Sequence, residues 1–308
     1  MTPPYLKPGD KIGIVSTARK ISREELQPAV DCFEKEGLKI VFGKNLFKEL
    51  DQFSGTDEER AEDFQLMMDN PEIKAILCAR GGYGTVRIID KLNFNTFRKN
   101  PKWVCGFSDV TVLHSHIWQN FGIETIHSIM PVQLKKLGGE SDAAKTLVNA
   151  LKGSLTPNPS PRERGTYEFP PHALNKEGIS EGILVGGNLS ILYSLLGSVS
   201  DIDTASKILF IEDIDEYLYH IDRMMMAMKR AGKLDKLKGL IVGGMSDMKD
   251  NTIPFGKTAE EIIADAVKEY DFPVCFHFPA GHIDANCAIY IGKSAKLEVG
   301  KAKSTLVF

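Results

Sequence analysis

The stretch KWVCGFSDVTVLHSHIWQN, residues 102–120, contains an apolar run, a glycine–serine corner and a helical pattern. Trp103–Cys105 is rich in β-forming residues, and apolar residues recur at helical spacing from Val110 onward. The pattern predicts a strand, a tight corner over Gly106–Asp109 and a helix. A serine at such a corner projects from the fold beside the free N–H groups of the helix, so Ser108 is the candidate nucleophile.

Ser108 has a second interpretation, in which it only caps the helix, since serine is a favoured N-cap residue. The esterase-type G-x-S-x-G pattern is also incomplete, because its fifth position is Val110. Two other nucleophiles compete. Ser246 follows a predicted strand but has no helical pattern after it. Cys105, which would suit a glutaminase-like enzyme, lies inside the strand before the corner.

The composition is that of an ordinary globular chain of 308 residues, with 43% hydrophobic residues, 26% charged residues and a net charge of -3. This length accommodates two domains. The lack of a basic excess argues against nucleic acid as the main partner. No run approaches about 20 apolar residues, and no leader-like pattern opens the chain. We therefore expect no membrane contact and a cytoplasmic location.

Metal and cofactor motifs are missing from the sequence. Neither C-x-x-C nor H-E-x-x-H occurs, and the five cysteines are scattered, mostly within apolar runs, as expected of buried reduced thiols. The glycine patterns also differ from those of dinucleotide and nucleoside triphosphate sites. We therefore expect no metal and no cofactor.

Strand and helix patterns alternate through the first half of the chain. Apolar runs at Lys11–Val15, Leu38–Phe42 and Lys74–Ala79 predict strands, and helical patterns lie between them. This alternation predicts an N-terminal α/β domain with a parallel sheet over residues 1–152. Residues 153–177 contain five prolines and little apolar periodicity, so they are interpreted as a linker.

The second half, residues 178–308, has the same alternation. Predicted strands at Ile179–Val185, Lys207–Ile211 and Gly239–Val242 precede helical patterns, and residues 288–308 are typical of short antiparallel strands. A second α/β domain is therefore predicted.

A glycine-rich corner follows the strand that ends at Ala79. It reads Arg80-Gly81-Gly82-Tyr83-Gly84-Thr85 and precedes a helical pattern over Val86–Leu92. Glycines there permit φ > 0 and a close approach to the backbone. One interpretation is a tight turn with a helix cap, and the other is a backbone N–H donor supplied to Ser108. Because parallel strands share one carboxyl edge, the two corners can converge there.

A serine nucleophile needs an imidazole that is oriented by a carboxylate. Of the seven histidines, only His282 follows a predicted strand end and a glycine, in a loop that can reach across a cleft. An ordinary polar histidine is the alternative. Glu212 stands where the strand Lys207–Ile211 ends, so it is the candidate carboxylate. The later acidic residues are interpreted as a solvated first helical turn: Asp213, Asp215 and Glu216.

The chain resembles the LD-carboxypeptidases, serine peptidases that include microcin-resistance hydrolases. The resemblance depends on a series of short motifs that occur in the same order along nearly the whole chain. The motifs are LKPGDKIGIV (Leu6–Val15), FSGTDEERAED (Phe53–Asp63), ARGGYG (Ala79–Gly84), GFSD (Gly106–Asp109), GGNL (Gly186–Leu189), FIED (Phe210–Asp213) and GH (Gly281–His282). One departure is Ser16-Thr17-Ala18-Arg19, where relatives usually carry a proline-containing turn. The departure affects the expected local shape of the cleft.

The resemblance implies a triad of Ser108, Glu212 and His282, with an oxyanion hole formed by the backbone N–H groups of Asp109 and Gly82. It also implies an N-terminal α/β domain that carries the serine and a C-terminal α/β domain, β-barrel-like or swivelling, that carries the other two side chains. A cleft would separate the domains, and the chain would form a homodimer.

The activity implied by the resemblance is cytoplasmic recycling of cell-wall peptide. The bond hydrolysed would join an L-configured centre to the terminal D-alanine of murein tetrapeptide. An exopeptidase also needs a cation for the terminal carboxylate, and Arg80 and Arg223 are the candidates. Two alternatives stay open, namely hydrolysis of a microcin-like aminoacyl-nucleotide amide by the same triad and a non-catalytic two-domain binding protein.

Overall fold

The computed structural model describes residues 1–153 and 165–308. It contains two β-sheets, each built mainly from one half of the chain. In the first sheet the parallel strands are β1 (Lys11–Val15), β2 (Lys39–Phe42), β3 (Ile73–Cys78), β4 (Trp103–Gly106) and β5 (Thr125–His127). They lie in the order β5, β4, β3, β1, β2. The predicted parallel sheet is therefore confirmed, and the carboxyl ends of these strands share one edge.

The helices of the first half cover this sheet. They are α1 (Arg23–Lys35), α2 (Asp57–Asp69), α3 (Asn95–Lys99), α4 (Thr111–Phe121), α5 (Leu134–Leu137) and α6 (Asp142–Leu151). A capping box of Thr56 and Glu59 opens α2. The helix predicted over Val86–Leu92 is instead a pair of 3-10 turns, Thr85–Arg87 and Ile89–Lys91, so this prediction was wrong in type.

The second sheet is mixed. Its strands are β6 (Thr166–Phe169), β7 (Gly178–Asn188), β8 (Lys207–Ile214), β9 (Gly239–Ser246), β10 (Val274–Cys275), β12 (Ser294–Val299) and β13 (Ser304–Val307). The intervening strand β11 (Ile289–Ile291) is not part of this sheet. The order is β10, β9, β8, β7, β12, β13, β6, of which β7 to β10 run parallel. In the described residues β10 and β6 form its two edges, so the expected barrel-like form is an open sheet.

Helices α7 (Leu189–Ser194), α8 (Leu218–Arg230) and α9 (Ala259–Val267) pack on this second sheet. Asn188 is the N-cap of α7, since its side chain accepts from the Ile191 backbone N–H. The methionines of α8 lie in the core, where Met224 and Met225 are buried.

Two strands cross the predicted domain ranges. β11 pairs with β5 in antiparallel fashion and so belongs to the first sheet. β6 pairs with β13, although it lies within the predicted linker, of which residues 154–164 are outside the described residues. The ranges 1–152, 153–177 and 178–308 stay predictions, and β11 brings a strand from the second half of the chain into the first sheet.

Helix α4, which follows Ser108, is fixed against the second sheet. The hydroxyl of Thr111 accepts a hydrogen bond from the Asn188 backbone N–H at 3.0 Å. A Cβ on Gly187 would lie 2.5 Å from that same hydroxyl, so only glycine permits this approach. The contact sets the first sheet's carboxyl edge opposite the ends of β7 and β8. In the described residues no helix has the length and apolar content needed to cross a membrane.

Candidate active site

Ser108 lies at a sharp corner between β4 and α4, as predicted. Its backbone has φ 62°, a left-handed conformation that a residue with a Cβ adopts only at a cost. Gly106 before it has φ 151°, and a Cβ there would lie 2.8 Å from the Val110 side chain. A 3-10 turn over Ser108–Val110 then leads into the helix. These are the features of a nucleophile elbow.

The capping interpretation of Ser108 is wrong. No side-chain cap bond is made at the start of the 3-10 turn or of α4. Within the described residues the Ser108 hydroxyl has no hydrogen-bond partner, and the residue is half-buried. The side chain is therefore available to a ligand.

The glycine corner after β3 converges on Ser108. A Cβ on Gly81 would lie 3.3 Å from the Ser108 Cβ and 3.4 Å from its Oγ, so the Gly81 backbone borders the hydroxyl. Gly82 has φ 114°, which favours glycine. The expected meeting of the two corners is thus confirmed, while the oxyanion role of the Gly82 and Asp109 N–H groups stays a prediction.

Asp109 ties the two corners together through its side chain, a contact that the sequence did not predict. Its Oδ2 accepts from the Thr85 backbone N–H at 2.8 Å. Oδ1 has no partner in the described part of the chain. Burial raises the pKa of Asp109, and the hydrogen bonds from Thr85 oppose that rise. The bond fixes the position of the elbow relative to the glycine corner.

Glu212 and His282 form a buried hydrogen-bonded pair. His282 Nδ1 donates to Glu212 Oε2 at 2.6 Å, and the His282 backbone N–H reaches the same oxygen at 3.2 Å. The Glu212 side chain is fully buried, whereas that of His282 is 15% exposed. Because Nδ1 is occupied, Nε2 is the ring nitrogen that remains for a ligand or for Ser108.

The pKa of His282 lies above its ordinary value. Burial pulls it downward, but the hydrogen bond with Glu212 and the negative charges of Glu212 and Asp213 outweigh that effect. An imidazole with a raised pKa is a stronger base, which suits a group that must take a proton from an alcohol.

The loop that carries His282 is held by several contacts. The Ser246 hydroxyl donates to the His282 carbonyl oxygen at 2.8 Å, and the Gly281 N–H donates to Asn286 Oδ1 at 2.9 Å. A Cβ on Gly281 would lie 2.7 Å from the Glu212 Cβ, so the loop passes close over the carboxylate. Ser246, expected as a competing nucleophile, thus contacts the histidine backbone, a role that its sequence position after a strand did not reveal.

Asp213 was misassigned. The strand predicted to end at Ile211 continues to Ile214, so Asp213 is buried within β8 and not in a solvated helical turn. Its carboxylate accepts from Asn188 Nδ2 and from the Ser190 backbone N–H, both at 2.9 Å. Burial and, next, the charge of Glu212 raise the pKa of Asp213 to about 7.

Ser108 and His282 line one cleft of about 580 Å³ between the two sheets. Cys105, the thiol alternative, is buried within β4, and burial raises its pKa well above the ordinary value, so it does not face the cleft as a thiolate. The residues described hold no group of three or more His, Cys, Asp or Glu side chains arranged to bind a metal.

The predicted cations occupy different places. Arg80 lines the cleft, but its Nη1 lies 3.3 Å from Glu25 Oε1. Arg223 is exposed on α8 with its guanidinium 5.1 Å from the Tyr219 ring centroid, and it is not among the described residues that line the cleft. Arg19, which the sequence did not single out for binding, lines the cleft as well.

Comparison with known families covers both halves of the site. A model described as the LD-carboxypeptidase N-terminal domain matches residues 12–128, and one described as the LD-carboxypeptidase C-terminal domain matches residues 181–297. The probable murein peptide carboxypeptidase of Bacillus subtilis is 36% identical over 309 residues, which covers 99% of this chain and 93% of that protein. The murein tetrapeptide carboxypeptidase of Pseudomonas aeruginosa is 26% identical over 94% of this chain and 93% of its own length.

Solved structures show the same architecture. The muramoyltetrapeptide carboxypeptidase from Oxalobacter formigenes superimposes with a TM-score of 0.82 at 26% identity, over 96% of this chain and 97% of that one. The microcin C7 self immunity protein MccF gives a TM-score of 0.83 over 100% of this chain and 98% of its own, at 21% identity. The latter similarity shows a shared fold alone.

Proposed function

Because the chain belongs to the LD-carboxypeptidase family, we propose that it is a serine-type L,D-carboxypeptidase that releases the terminal D-alanine of murein tetrapeptide. The observation that supports this most is the buried Glu212–His282 pair on the wall of the cleft that also exposes Ser108. An oriented imidazole and an unpartnered alcohol facing one cavity are the components of acyl transfer.

In the proposed mechanism, His282 Nε2 takes the proton of the Ser108 hydroxyl as the oxygen attacks the scissile carbonyl. Glu212 holds the imidazole in the required tautomer and stabilises the imidazolium that forms. The backbone N–H groups of Asp109 and Gly82 stabilise the negative oxygen of the tetrahedral intermediate.

The imidazolium then returns its proton to the leaving amine, the C–N bond breaks and D-alanine departs, which leaves an ester on Ser108. Water, deprotonated by His282, hydrolyses that ester and restores the serine. Each cycle thus consumes one water molecule and releases D-alanine and a tripeptide.

D-alanine release from murein tetrapeptide, measured by mass spectrometry of the products, tests the proposal. We expect turnover by the unmodified protein and a loss of kcat on the order of a million-fold in Ser108→Ala, since the nucleophile acts as a unit with its base. Near-normal turnover of Ser108→Ala, or intact tetrapeptide after prolonged incubation with the unmodified protein, would contradict it.

The second candidate is hydrolysis of a microcin-like aminoacyl-nucleotide amide, favoured by the fold shared with MccF over the whole chain. Direct competition between the tetrapeptide and such an amide separates the two candidates through the ratio of kcat/KM values. A serine-reactive phosphonylating probe tests the remaining alternative, because a non-catalytic binding protein would not be labelled at Ser108. The homodimer and the cytoplasmic location stay predictions from the family resemblance, and sedimentation velocity tests the first.

A further inference from the structure

Arg19 is a cation at the mouth of the cleft. It follows β1, is exposed and lines the cleft with Ser108. Within residues 1–153 and 165–308 its guanidinium makes no ion pair, hydrogen bond or ring contact. Arginine is the side chain best suited to bind a carboxylate, because its planar fork donates two parallel hydrogen bonds.

The topology aligns Arg19 with the reacting groups. In the first sheet β4, β3 and β1 are neighbours, and their carboxyl ends carry Ser108, the glycine corner and Arg19 in that order. Neighbouring strands lie about 4.8 Å apart, so the strands that lead to Ser108 and to Arg19 are two such spacings apart, with the strand of the glycine corner between them.

The Arg19 side chain extends across Gly82. A Cβ on Gly82 would lie 2.6 Å from Arg19 Cδ and 2.8 Å from its Nε, so the side chain packs directly on the glycine backbone. Its own backbone is fixed as well. The Ser16 hydroxyl donates to the Arg19 carbonyl oxygen at 2.5 Å, and the Lys20 N–H donates to the Gln52 carbonyl at 3.0 Å. The guanidinium is therefore presented from a rigid base beside the proposed oxyanion donor.

This position matches the geometry of an exopeptidase substrate. The terminal carboxylate carbon is only three bonds from the scissile carbonyl carbon, along bonds of about 1.33, 1.46 and 1.52 Å, so the two carbons lie less than about 4 Å apart. The group that binds the carboxylate must therefore lie next to the oxyanion donors. Arg19 meets this requirement, because its Cδ and Nε lie directly against the Gly82 backbone.

Arg80, the cation expected from the sequence, is already occupied. It pairs with Glu25, whose carboxylate also accepts from the Ser22 backbone N–H in the capping box of α1. That backbone hydrogen bond, together with the charge of Arg80, lowers the pKa of Glu25, so the partner stays ionised. A substrate carboxylate would have to compete with Glu25 for Arg80, whereas Arg19 has no such competitor in the part of the chain that the structure describes.

We propose that Arg19, and not Arg80 or Arg223, binds the terminal carboxylate of the substrate and so selects for chain ends. The inference rests on the proposed function.

The test compares two tetrapeptides that differ only in ending with D-alanine or D-alaninamide. The unmodified protein is expected to prefer the free carboxylate in kcat/KM. Arg19→Gln should reduce that preference by about 10- to 100-fold, since a hydrogen-bonded charge pair is lost. Arg19→Lys should keep part of it, because the charge remains without the fork. Arg80→Gln is the matched control and should retain the preference.

A preference that survives in Arg19→Gln, or that is lost in Arg80→Gln, would overturn the inference. A binding measurement separates this from failure of the proposed function. Calorimetric titration of Ser108→Ala with both peptides reports the carboxylate preference without turnover, and the Ser108→Ala/Arg19→Gln variant should lack that preference. If the unmodified protein turns over neither peptide while Ser108→Ala still discriminates between them through Arg19, the proposed function fails alone.

Discussion

The wall of the cleft that carries Ser108 and the wall that carries His282 are held in place by different means. Ser108 sits on a left-handed backbone, between glycines whose positive φ angles shape the corners, and its side chain has no partner in the described residues. His282 is fixed by hydrogen bonds to Glu212 from both its ring and its backbone. The first wall depends on conformation, with a cost of about 1–3 kcal/mol for a strained residue. The second depends on the buried Glu212–His282 pair, so the charge on His282 should make it respond to pH.

The largest expected effect tests whether the two walls act as one unit. Ser108→Ala and His282→Ala should each reduce kcat on the order of a million-fold, and the double variant should lose no more than either alone. Steady-state D-alanine release measures this, with circular dichroism to show that all three variants are folded. Losses that multiply in the double variant would mean that the two side chains act independently.

A smaller effect isolates the charge of the second wall. Glu212→Gln should reduce kcat by about 10⁴-fold, because the imidazole loses the partner that sets its tautomer. Activity rises as His282 loses its proton, and the raised pKa places this acid limb above pH 6.5 in the unmodified protein. Without the carboxylate, burial is the main remaining influence, so the limb should move to lower pH.

The pH profile of kcat/KM measures this shift, and Glu216→Gln is the matched control, since Glu216 pairs with His220 at 2.5 Å. The same shift affects stability. The raised folded-state pKa of His282 contributes stability that is fully present below pH 6.5 and is lost as the pH rises through the folded value. An acid limb that stays in place in Glu212→Gln would show that another group titrates there.

The smallest effect concerns how the histidine loop is positioned. Ser246→Ala removes one hydrogen bond to the His282 carbonyl and should lower kcat by up to about 10-fold with little change in KM. Ser246→Thr, which keeps the hydroxyl, should restore the rate. Ser194→Ala is the control, because that hydroxyl bonds within α7. A loss of kcat larger than that of Glu212→Gln would make Ser246 more than a positioning residue.

The site was predictable where its signals are local. The strand, corner and helix around Ser108 follow from apolar spacing and a glycine, and the structure confirms them. The contact between Glu212 and His282 was also predicted, because the sequence places each residue at or soon after the predicted end of a strand. Their catalytic roles remain part of the proposal.

The rest depends on contacts between residues distant in sequence. Asp213 is buried because Asn188, on the neighbouring strand β7, provides its hydrogen bond, and nothing in the sequence near Asp213 indicates this. Arg80, one of the cations that the sequence suggested for substrate binding, forms an ion pair with Glu25 on α1. A residue of β11 such as Tyr290 likewise gives no local sign that it pairs with β5.

That pairing of β11 with β5 has a consequence for how the polypeptide can be divided. A fragment ending near residue 152 would leave β5 as a bare sheet margin, with its N–H and C=O groups open to pairing with a second molecule, which is a known route to aggregation. The three residues Ile289–Ile291 therefore cover the edge of the first sheet. The half of the protein that carries Ser108 depends on this strand from the second half to avoid aggregation.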